Sequence, residues 1–233
     1  MKLFEIKEPL LHATFKRRVN RFLVELNIGK NLGLAHLGNS GRLEELLTPN
    51  TKALLKKVRK TKKRKTLYDI IAVWHNNSWV LIDSRLHNPI TLKILELELI
   101  AKLKGHKVLR KEVKVNNVRI DFLLEKDNVK CFLEVKGCTL AKNQIALFPD
   151  APTERGRRQL DLLTKIKNKG LDAAILFLVL REDARVFSPN WGMDPQFSEK
   201  LKLAQNNGVK ILACQVKFDG KNIKFVKELQ AII

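Results

Sequence analysis

The sequence predicts an α/β (α+β) protein in two parts, a strand-rich barrel over residues 1–85 and a mixed α/β sheet over residues 86–233. Two observations support this prediction. Before residue 84, short apolar segments are separated by Gly, Pro and Asn, which is typical of small barrels and sandwiches. After it, apolar residues at helical spacing alternate with apolar strand-like segments, which is typical of a sheet covered by helices.

The first part is predicted to hold a series of short strands and one short helix. The strands are expected over residues 18–28, 31–37, 51–58, 68–74 and 78–83. The helix is expected over residues 41–47, where GRLEELL precedes Thr48 and Pro49. A small barrel with one helix in this position fits an OB-like fold.

The second part alternates helices with strands. Helices are predicted over residues 90–105, 152–170 and 194–208, and strands over residues 106–115, 119–125, 129–140, 171–180 and 209–216. Gly105 suits the end of the first helix, and Pro152 suits the first turn of the second. Because helices connect some strands and a hairpin connects others, we expect mixed strand directions in this sheet.

The charge of the chain predicts a polyanionic partner. Its 233 residues include 45 Lys and Arg against 24 Asp and Glu, which gives a formal net charge of +21 at pH 7. Such an excess attracts nucleic acid first and an anionic membrane surface second. No apolar segment is long enough to span a bilayer, and the first residues lack the apolar core of a signal peptide. We therefore predict a cytoplasmic protein with DNA as its partner, RNA as an alternative, and no membrane partner.

The cysteines do not predict a disulfide framework or a zinc site. Cys131, Cys138 and Cys214 are odd in number and lack C-x-x-C spacing. We expect all three to be small buried apolar residues.

A segment dominated by Lys and Arg, residues 56–66, is a candidate for phosphate contacts. Its basic residues are Lys56, Lys57, Arg59, Lys60, Lys62, Lys63, Arg64 and Lys65. Dense like charges repel one another, and a bound polyanion relieves that repulsion. A solvated, mobile loop explains the same residues without a ligand.

Aromatic residues of the first part are candidates for stacking on nucleic-acid bases. They are Phe15, Phe22, Trp74 and Trp79. All four also fit apolar strand faces, so packing in the barrel core is the competing interpretation.

A predicted hairpin in the second part carries Asp121 on its first strand and Glu134 and Lys136 on its second. If Asp127 and Asn128 form a two-residue turn, Asp121 lies opposite Glu134, and Lys136 shares that face of the sheet. Two carboxylates and one ammonium on one patch are what metal-assisted phosphodiester hydrolysis requires. Asp121 and Glu134 are the expected ligands of Mg²⁺ or Mn²⁺. A cross-strand charge cluster at a sheet edge is the alternative.

The chain resembles the sugar fermentation stimulation protein A (SfsA) family along nearly its whole length. The motifs that support the resemblance are HLGNSGRLEELL (36–47), KRKTLYDIIAV (63–73), DSRLHNP (83–89), RIDFLLE (119–125), EVKGCTL (134–140), ALFPDAPTERGRRQLDLL (146–163), RVFSPNWGMDPQF (185–197) and NNGVKILACQV (206–216). One departure follows the E-x-K triplet, where Gly137 and Cys138 replace the more usual Ser and Val.

The resemblance implies an OB-like domain joined to a restriction-endonuclease-like domain of the PD-(D/E)xK type. It also implies a DNA-binding protein linked to the control of sugar (maltose) metabolism genes. The catalytic Asp, Glu and Lys of the nuclease-like core match Asp121, Glu134 and Lys136.

Further candidates surround these residues. The helix predicted to begin within FPDAPTERGRR (148–158) carries Arg155, Arg157 and Arg158, which could bind phosphates if its N-terminus lies beside the metal site. Capping of that helix by Asp150, with Glu154 in the first turn, is the competing interpretation. Glu96 is a further candidate acid on the preceding helix.

Arg42 is a candidate anion ligand because Gly38 and Gly41 beside it permit a tight backbone with free N–H groups. A turn that leads into the predicted helix explains the same residues without a ligand.

Three functional hypotheses remain open at this point. The first is a DNA-binding protein with a Mg²⁺-dependent, nuclease-like site. The second is a non-catalytic, DNA-binding transcriptional regulator. The third is a hydrolase that processes RNA or nucleotides, since an OB-like domain accepts single strands.

Overall fold

The computed structural model describes residues 1–59, 64 and 66–233. Within them, the α-helices are α1 (His87–Glu96), α2 (Glu154–Asn168) and α3 (Pro195–Asn206). The strands are β1 (Lys2–Glu5), β2 (Leu10–Asn20), β3 (Leu23–Ile28), β4 (Asn31–Leu37), β5 (Lys52–Lys57), β6 (Tyr68–His75), β7 (Ser78–Leu81), β8 (Lys107–Val115), β9 (Val118–Lys126), β10 (Val129–Cys138), β11 (Leu140–Lys142), β12 (Ile145–Phe148), β13 (Asp172–Val179), β14 (Val186–Pro189), β15 (Lys210–Phe218) and β16 (Asn222–Ala231).

Five strands of the first part close into a barrel. They pair in the ring β2–β3–β4–β6–β5 and back to β2, with β4 and β6 parallel and the other neighbours antiparallel. Alternate side chains point inward along each strand, and Phe15, Val24, Leu26 and Leu55 are among those that fill the core. The predicted OB-like barrel is therefore confirmed.

Two details of the barrel differ from the prediction. Residues 18–28 form the end of β2, a turn at residues 21–22, and β3, instead of one strand. Residues 41–47 form a turn instead of a helix, because Leu43 adopts a left-handed backbone with a φ of 54°. Leu43 and Leu46 are both buried in the barrel core, so tertiary packing decides the conformation of this segment.

The second part is a mixed sheet, as predicted, and helices cover both of its faces. Strands β10, β13 and β15 run parallel in its centre. Strand β9 pairs antiparallel with β10, β8 extends the sheet beyond β9, and β16 pairs antiparallel with β15. Helix α1 packs on one face, and α2 and α3 cover the other. Burial on both faces explains why β13 is almost entirely apolar.

The first helix of this sheet is shorter than predicted. It spans His87–Glu96 instead of residues 90–105, and it cannot continue because Glu98 adopts a left-handed backbone with a φ of 52°. One turn of 3₁₀ helix, Ala101–Leu103, follows. The earlier start matters for the site, because the first turn of α1 now carries His87.

The barrel and the mixed sheet are joined by backbone pairing that the sequence did not reveal. Strand β1 belongs to the first part of the chain but pairs with β16. Strand β7 pairs with β6 of the barrel on one side and with β15 on the other. The two parts therefore form one continuous sheet.

Two simpler expectations can be compared with the structure. Cys131, Cys138 and Cys214 are free and buried, as predicted. No helix in the described part of the chain is long and apolar enough to cross a membrane.

Candidate functional site

The β9–β10 hairpin brings the two predicted carboxylates together. Asp127 and Asn128 both have left-handed backbones, with φ values of 50° and 63°, as a two-residue hairpin turn requires. The pairing follows the predicted register as far as Leu133 opposite Phe122, so Asp121 and Glu134 are the next residues along the two strands. The Asp121 carboxylate continues the strand pairing, because its Oδ2 accepts a hydrogen bond from the backbone N–H of Val135 at 2.9 Å.

Glu134 is a buried carboxyl group with one unsatisfied oxygen. Its side chain is 2% exposed. Its Oε1 accepts a hydrogen bond from Lys136 Nζ at 2.7 Å, whereas its Oε2 is buried and has no hydrogen-bond partner among the described residues. Burial raises the pKa of Glu134 to about 7, although the positive charge of Lys136 opposes this shift. The site therefore holds an oxygen that favours a proton or a cation.

Lys136 is held in place from the opposite side by Gln159 on α2. The Lys136 Nζ donates to Gln159 Oε1 at 2.5 Å, and Gln159 Nε2 donates to the backbone carbonyl of Arg119 at 2.9 Å. Gln159 is completely buried. The sequence prediction missed it, although an amide beside Leu160 on the apolar stripe of an amphipathic helix was a usable signal.

The first turn of α1 orients Asp121. Asn88 Nδ2 donates to Asp121 Oδ1 at 2.9 Å. Beside it, the His87 ring lies against Gly137 so closely that a side chain at Gly137 would overlap the ring. Burial lowers the pKa of His87 to about 4, so this imidazole is neutral at pH 7. Sequence reasoning assigned no role to either residue of this turn.

These residues face a cleft of about 670 Å³ between the barrel and the mixed sheet. The barrel contributes Arg21, Asn39, Ser40 and Gly41 to its wall, and the mixed sheet contributes Arg85, His87, Asn88, Glu112, Asp121, Glu134, Lys136, Asp150 and Arg155, among others. The Leu43 N–H donates to Asp150 Oδ2 at 3.4 Å across the junction. Both parts of the chain therefore build the site.

The three predicted arginines of α2 have different environments. Arg155 is exposed and lines the cleft. Arg158 is also exposed and lies 3.8 Å from the Glu154 carboxylate. Arg157 points away from solvent, and its Nη1 donates to Asp194 Oδ1 at 2.9 Å. Among these three arginines, Arg155 is the one that lines the cleft.

The cap of α2 also differs from the prediction. Thr153 is the N-cap, because its Oγ1 accepts a hydrogen bond from the Gly156 N–H at 3.0 Å. Asp150 lies three residues before this cap, and its carboxylate accepts the hydrogen bond from Leu43 of the barrel instead.

Glu96 does not belong to this cleft. It is the last residue of α1, and its half-exposed carboxylate pairs with Lys93 at 3.2 Å. The beginning of α1, not its end, faces the carboxylates, so Asn88 occupies the place that the sequence analysis gave to Glu96.

The predicted phosphate-binding segment is only partly described. Lys60, Lys62, Lys63 and Lys65 lie outside the described residues. Lys57 and Arg59 are exposed, Lys56 pairs with Glu8 at 2.5 Å, and Arg64 pairs with the buried Asp69. Arg42 is exposed. Its neighbour Gly41 belongs to the cleft wall, but Arg42 does not.

The candidate stacking residues divide into buried and exposed side chains. Phe15 is 2% exposed and belongs to the barrel core, and Trp79 packs partly against the core of the mixed sheet. Phe22 is 48% exposed and Trp74 is 38% exposed. Core packing is therefore the wrong interpretation for Phe22.

Substitution of Arg157 and Arg155 should separate a structural from a binding role. We expect Arg157→Met to lower the free energy of unfolding by about 1–3 kcal/mol, because it removes a charged partner from the buried Asp194. Arg155→Met should leave stability unchanged within about 0.5 kcal/mol, because the side chain is exposed. Urea unfolding of both variants measures the difference, and equal losses would contradict the assignment.

The buried Glu134 also predicts a pH dependence of stability. Its pKa is raised above the unfolded value, so the metal-free protein should lose stability as pH rises from about 4.5 to about 7. Glu134→Gln removes this ionisation. Its free energy of unfolding, relative to that of wild type, should therefore increase by on the order of 1–3 kcal/mol across that pH range. Urea unfolding in EDTA at several pH values measures this gain. Glu199→Gln, which changes an exposed carboxylate on α3, is the control, and a gain in both variants would refute the prediction.

Family models match both parts of the chain. The model described as the sugar fermentation stimulation protein RE domain matches residues 85–222, and the SfsA N-terminal OB domain matches residues 17–82. These matches agree with the predicted pairing of an OB-like barrel with a restriction-endonuclease-like sheet.

Individual relatives match over nearly the full chain. A sugar fermentation stimulation protein homolog from Methanothermobacter thermautotrophicus is 40% identical over 212 residues, which cover 91% of this chain and 88% of that protein. A homolog from Saccharolobus solfataricus is 41% identical over 227 residues, which cover 97% and 88%. A solved structure described as Pyrococcus furiosus SfsA in complex with Ca²⁺ is 32% identical, covers all of both chains and superposes with a TM-score of 0.93.

Proposed function

This chain belongs to the sugar fermentation stimulation protein family, and we propose that its cleft is a divalent-metal-dependent phosphodiesterase site that acts on nucleic acid. The observation that supports this most strongly is the buried Glu134 Oε2, which has no hydrogen-bond partner in the described part of the chain and lies beside Asp121 and Lys136. A buried carboxylate oxygen without a partner costs free energy in a purely structural role.

The two carboxylates fit a hard cation such as Mg²⁺ or Mn²⁺. No third His, Cys, Asp or Glu joins them in a metal-binding cluster among the described residues. Mg²⁺ does not require one, since it commonly binds through one or two carboxylates and keeps water and substrate phosphate as its other ligands. Asp121 and Glu134 would hold the ion, which when bound stabilises charge on phosphoryl oxygens and acidifies water. The Ca²⁺ in the Pyrococcus furiosus relative supports the same class of ligand.

The remaining residues position these groups. Asn88 and the Val135 N–H fix the two oxygens of Asp121. Lys136 donates to Glu134 and Gln159 and has a third N–H for a phosphate oxygen or the attacking water. A lysine so placed stabilises the negative charge that develops on the phosphoryl group.

The charge of the cleft suits a nucleic-acid substrate. The exposed Arg21 and Arg155 line it together with Lys136, whereas Arg85 is paired with Asp69 and Asp83, and the whole chain carries a net charge of +21. Arginine binds phosphate through several N–H donors at once. Phosphate contacts of this kind position a strand without reading its sequence.

A cleavage panel tests the proposal. Labelled single-stranded DNA, duplex DNA and RNA are incubated with wild type and Asp121→Asn in Mg²⁺, Mn²⁺ or EDTA. We expect wild type to cut at least one substrate with either metal and none in EDTA, and Asp121→Asn to be inactive. Glu199→Gln, purified in the same way, should cut like wild type.

The same panel addresses the regulator hypothesis. Binding of DNA with unchanged affinity in wild type and Asp121→Asn, without cleavage under any metal, would refute the phosphodiesterase. It would favour a non-catalytic, DNA-binding regulator of sugar metabolism genes.

A further inference from the structure

The turn between β2 and β3 places an exposed aromatic ring beside Arg21, a residue of the cleft wall. Phe22 is 48% exposed, more than any other Phe or Trp in the described part of the chain. Its neighbour Arg21 lines the cleft that holds Asp121, Glu134 and Lys136. Because so much of the Phe22 side chain stays exposed, its ring is accessible to a ligand.

The exposure of Phe22 is fixed by hydrogen bonds on both sides of the turn. The Phe22 N–H donates to Asn20 Oδ1 at 2.9 Å, and the Phe22 carbonyl accepts from the Leu37 N–H at 2.9 Å. Arg18 Nη2 donates to the Arg21 carbonyl at 2.8 Å. The ring is therefore presented by an anchored turn.

A guanidinium group and a second aromatic ring lie beside Phe22. The Arg21 guanidinium carbon lies 5.6 Å from the centroid of the Phe22 ring, within the range of a cation–π contact. The His36 ring lies 6.4 Å from Phe22 at an interplanar angle of 31°. The Arg21 side chain makes no hydrogen bond or ion pair to another residue that the structure describes, so its N–H groups are available to a ligand.

We propose that Arg21 and Phe22 hold an unpaired nucleotide at the mouth of the cleft, with its base stacked on Phe22 and its phosphate beside Arg21. The inference rests on the proposed function, since it assumes that nucleic acid enters this cleft. It also adds a substrate class: single strands or single-stranded ends are preferred to a continuous duplex. In a duplex the bases are stacked on one another, whereas an unpaired base is free to stack on an aromatic side chain.

Charge complementarity favours nucleic acid over a protein surface as the occupant. Arg21 lies beside the ring, and the exposed Arg155 lines the same cleft as Arg21. Phosphates on both sides of the stacked base would meet these cations. An apolar protein partner would have to desolvate them.

Binding in EDTA tests the inference without requiring cleavage. Fluorescence anisotropy gives the affinity of wild type, Phe22→Ala and Phe22→Trp for a labelled DNA strand, the RNA strand of the same sequence, and a blunt duplex. Trp191→Ala is the matched control, because Trp191 is an exposed aromatic residue outside the cleft wall. Thermal unfolding checks that each variant is folded.

We expect Phe22→Ala to weaken binding of at least one single strand roughly 5- to 150-fold. Its affinity for the duplex should change less than about twofold. Phe22→Trp should restore strand binding, with quenching of the new indole fluorescence, and the DNA and RNA arms identify the preferred strand. Unchanged strand affinity in Phe22→Ala, equal losses for strand and duplex, or the same loss in Trp191→Ala would each overturn the inference.

The outcomes separate this inference from the proposed function. Strand-selective loss in Phe22→Ala without any metal-dependent cleavage by wild type would keep the nucleotide site and refute the phosphodiesterase. Metal-dependent cleavage by wild type, together with normal strand binding in Phe22→Ala, would support the phosphodiesterase and refute the nucleotide site at Phe22.

Discussion

Lys136→Met should reduce cleavage by at least about 100-fold while leaving metal binding intact. The lysine lies 2.7 Å from the Glu134 carboxylate and is the cation best placed to stabilise charge on the phosphate. Removal of one preorganised donor costs about 10²- to 10³-fold in hydrolases where this has been measured. Single-turnover cleavage in saturating Mg²⁺ measures the loss.

Thermal unfolding with and without metal provides the control for this variant. A cation that binds the folded state raises the midpoint of unfolding. Mg²⁺ or Ca²⁺ should therefore stabilise wild type and Lys136→Met, which keep both carboxylates, but not Asp121→Asn. A Lys136→Met protein that cleaves as fast as wild type would remove the lysine from the mechanism.

Gly137→Ala should damage both stability and activity, although it adds one methyl group. The new side chain would overlap the His87 ring, which is partly buried and whose Nε2 is shielded from solvent. Overpacking of this kind costs about 1–3 kcal/mol. Any shift of the His87 ring would move the first turn of α1, and with it the Asn88 amide that orients Asp121. We expect a lower midpoint of urea unfolding and slower cleavage.

Gly192→Ala is the matched control for this substitution. A side chain at Gly192 would meet no atom closer than 4.0 Å, so stability should remain within about 0.5 kcal/mol of wild type. Equal stability of the two alanine variants would show that the contact between Gly137 and His87 is not tight.

Local patterns in the sequence were sufficient to predict the centre of the site. Asp127 and Asn128 tolerate the left-handed backbone of a two-residue turn, and that turn alone determines the register of β9 and β10. Continued one residue beyond Phe122 and Leu133, that register leads to Asp121 and Glu134. The overall pairing of a barrel with a mixed sheet also followed from local periodicity, because each strand and helix buries one face.

Residues that reach the site through tertiary packing could not be predicted in this way. Gln159 contacts Lys136 only because α2 packs across β9 and β10. Arg21 enters the cleft because the barrel docks on the sheet, a contact between segments far apart in the chain. Glu96 was chosen because the predicted helix began three residues later than α1 and ended nine residues after it. With those boundaries the end of the helix was taken to face the carboxylates, whereas in the structure its first turn does.

The most direct test of the central claim is single-turnover cleavage of a labelled DNA strand by wild type and Glu134→Gln, purified side by side and assayed in Mg²⁺ and in EDTA. The proposed mechanism predicts cleavage by wild type in Mg²⁺ only, and none by Glu134→Gln in either condition. Equal cleavage by both proteins, or cleavage by wild type that persists in EDTA, would contradict a metal-dependent site at Asp121 and Glu134.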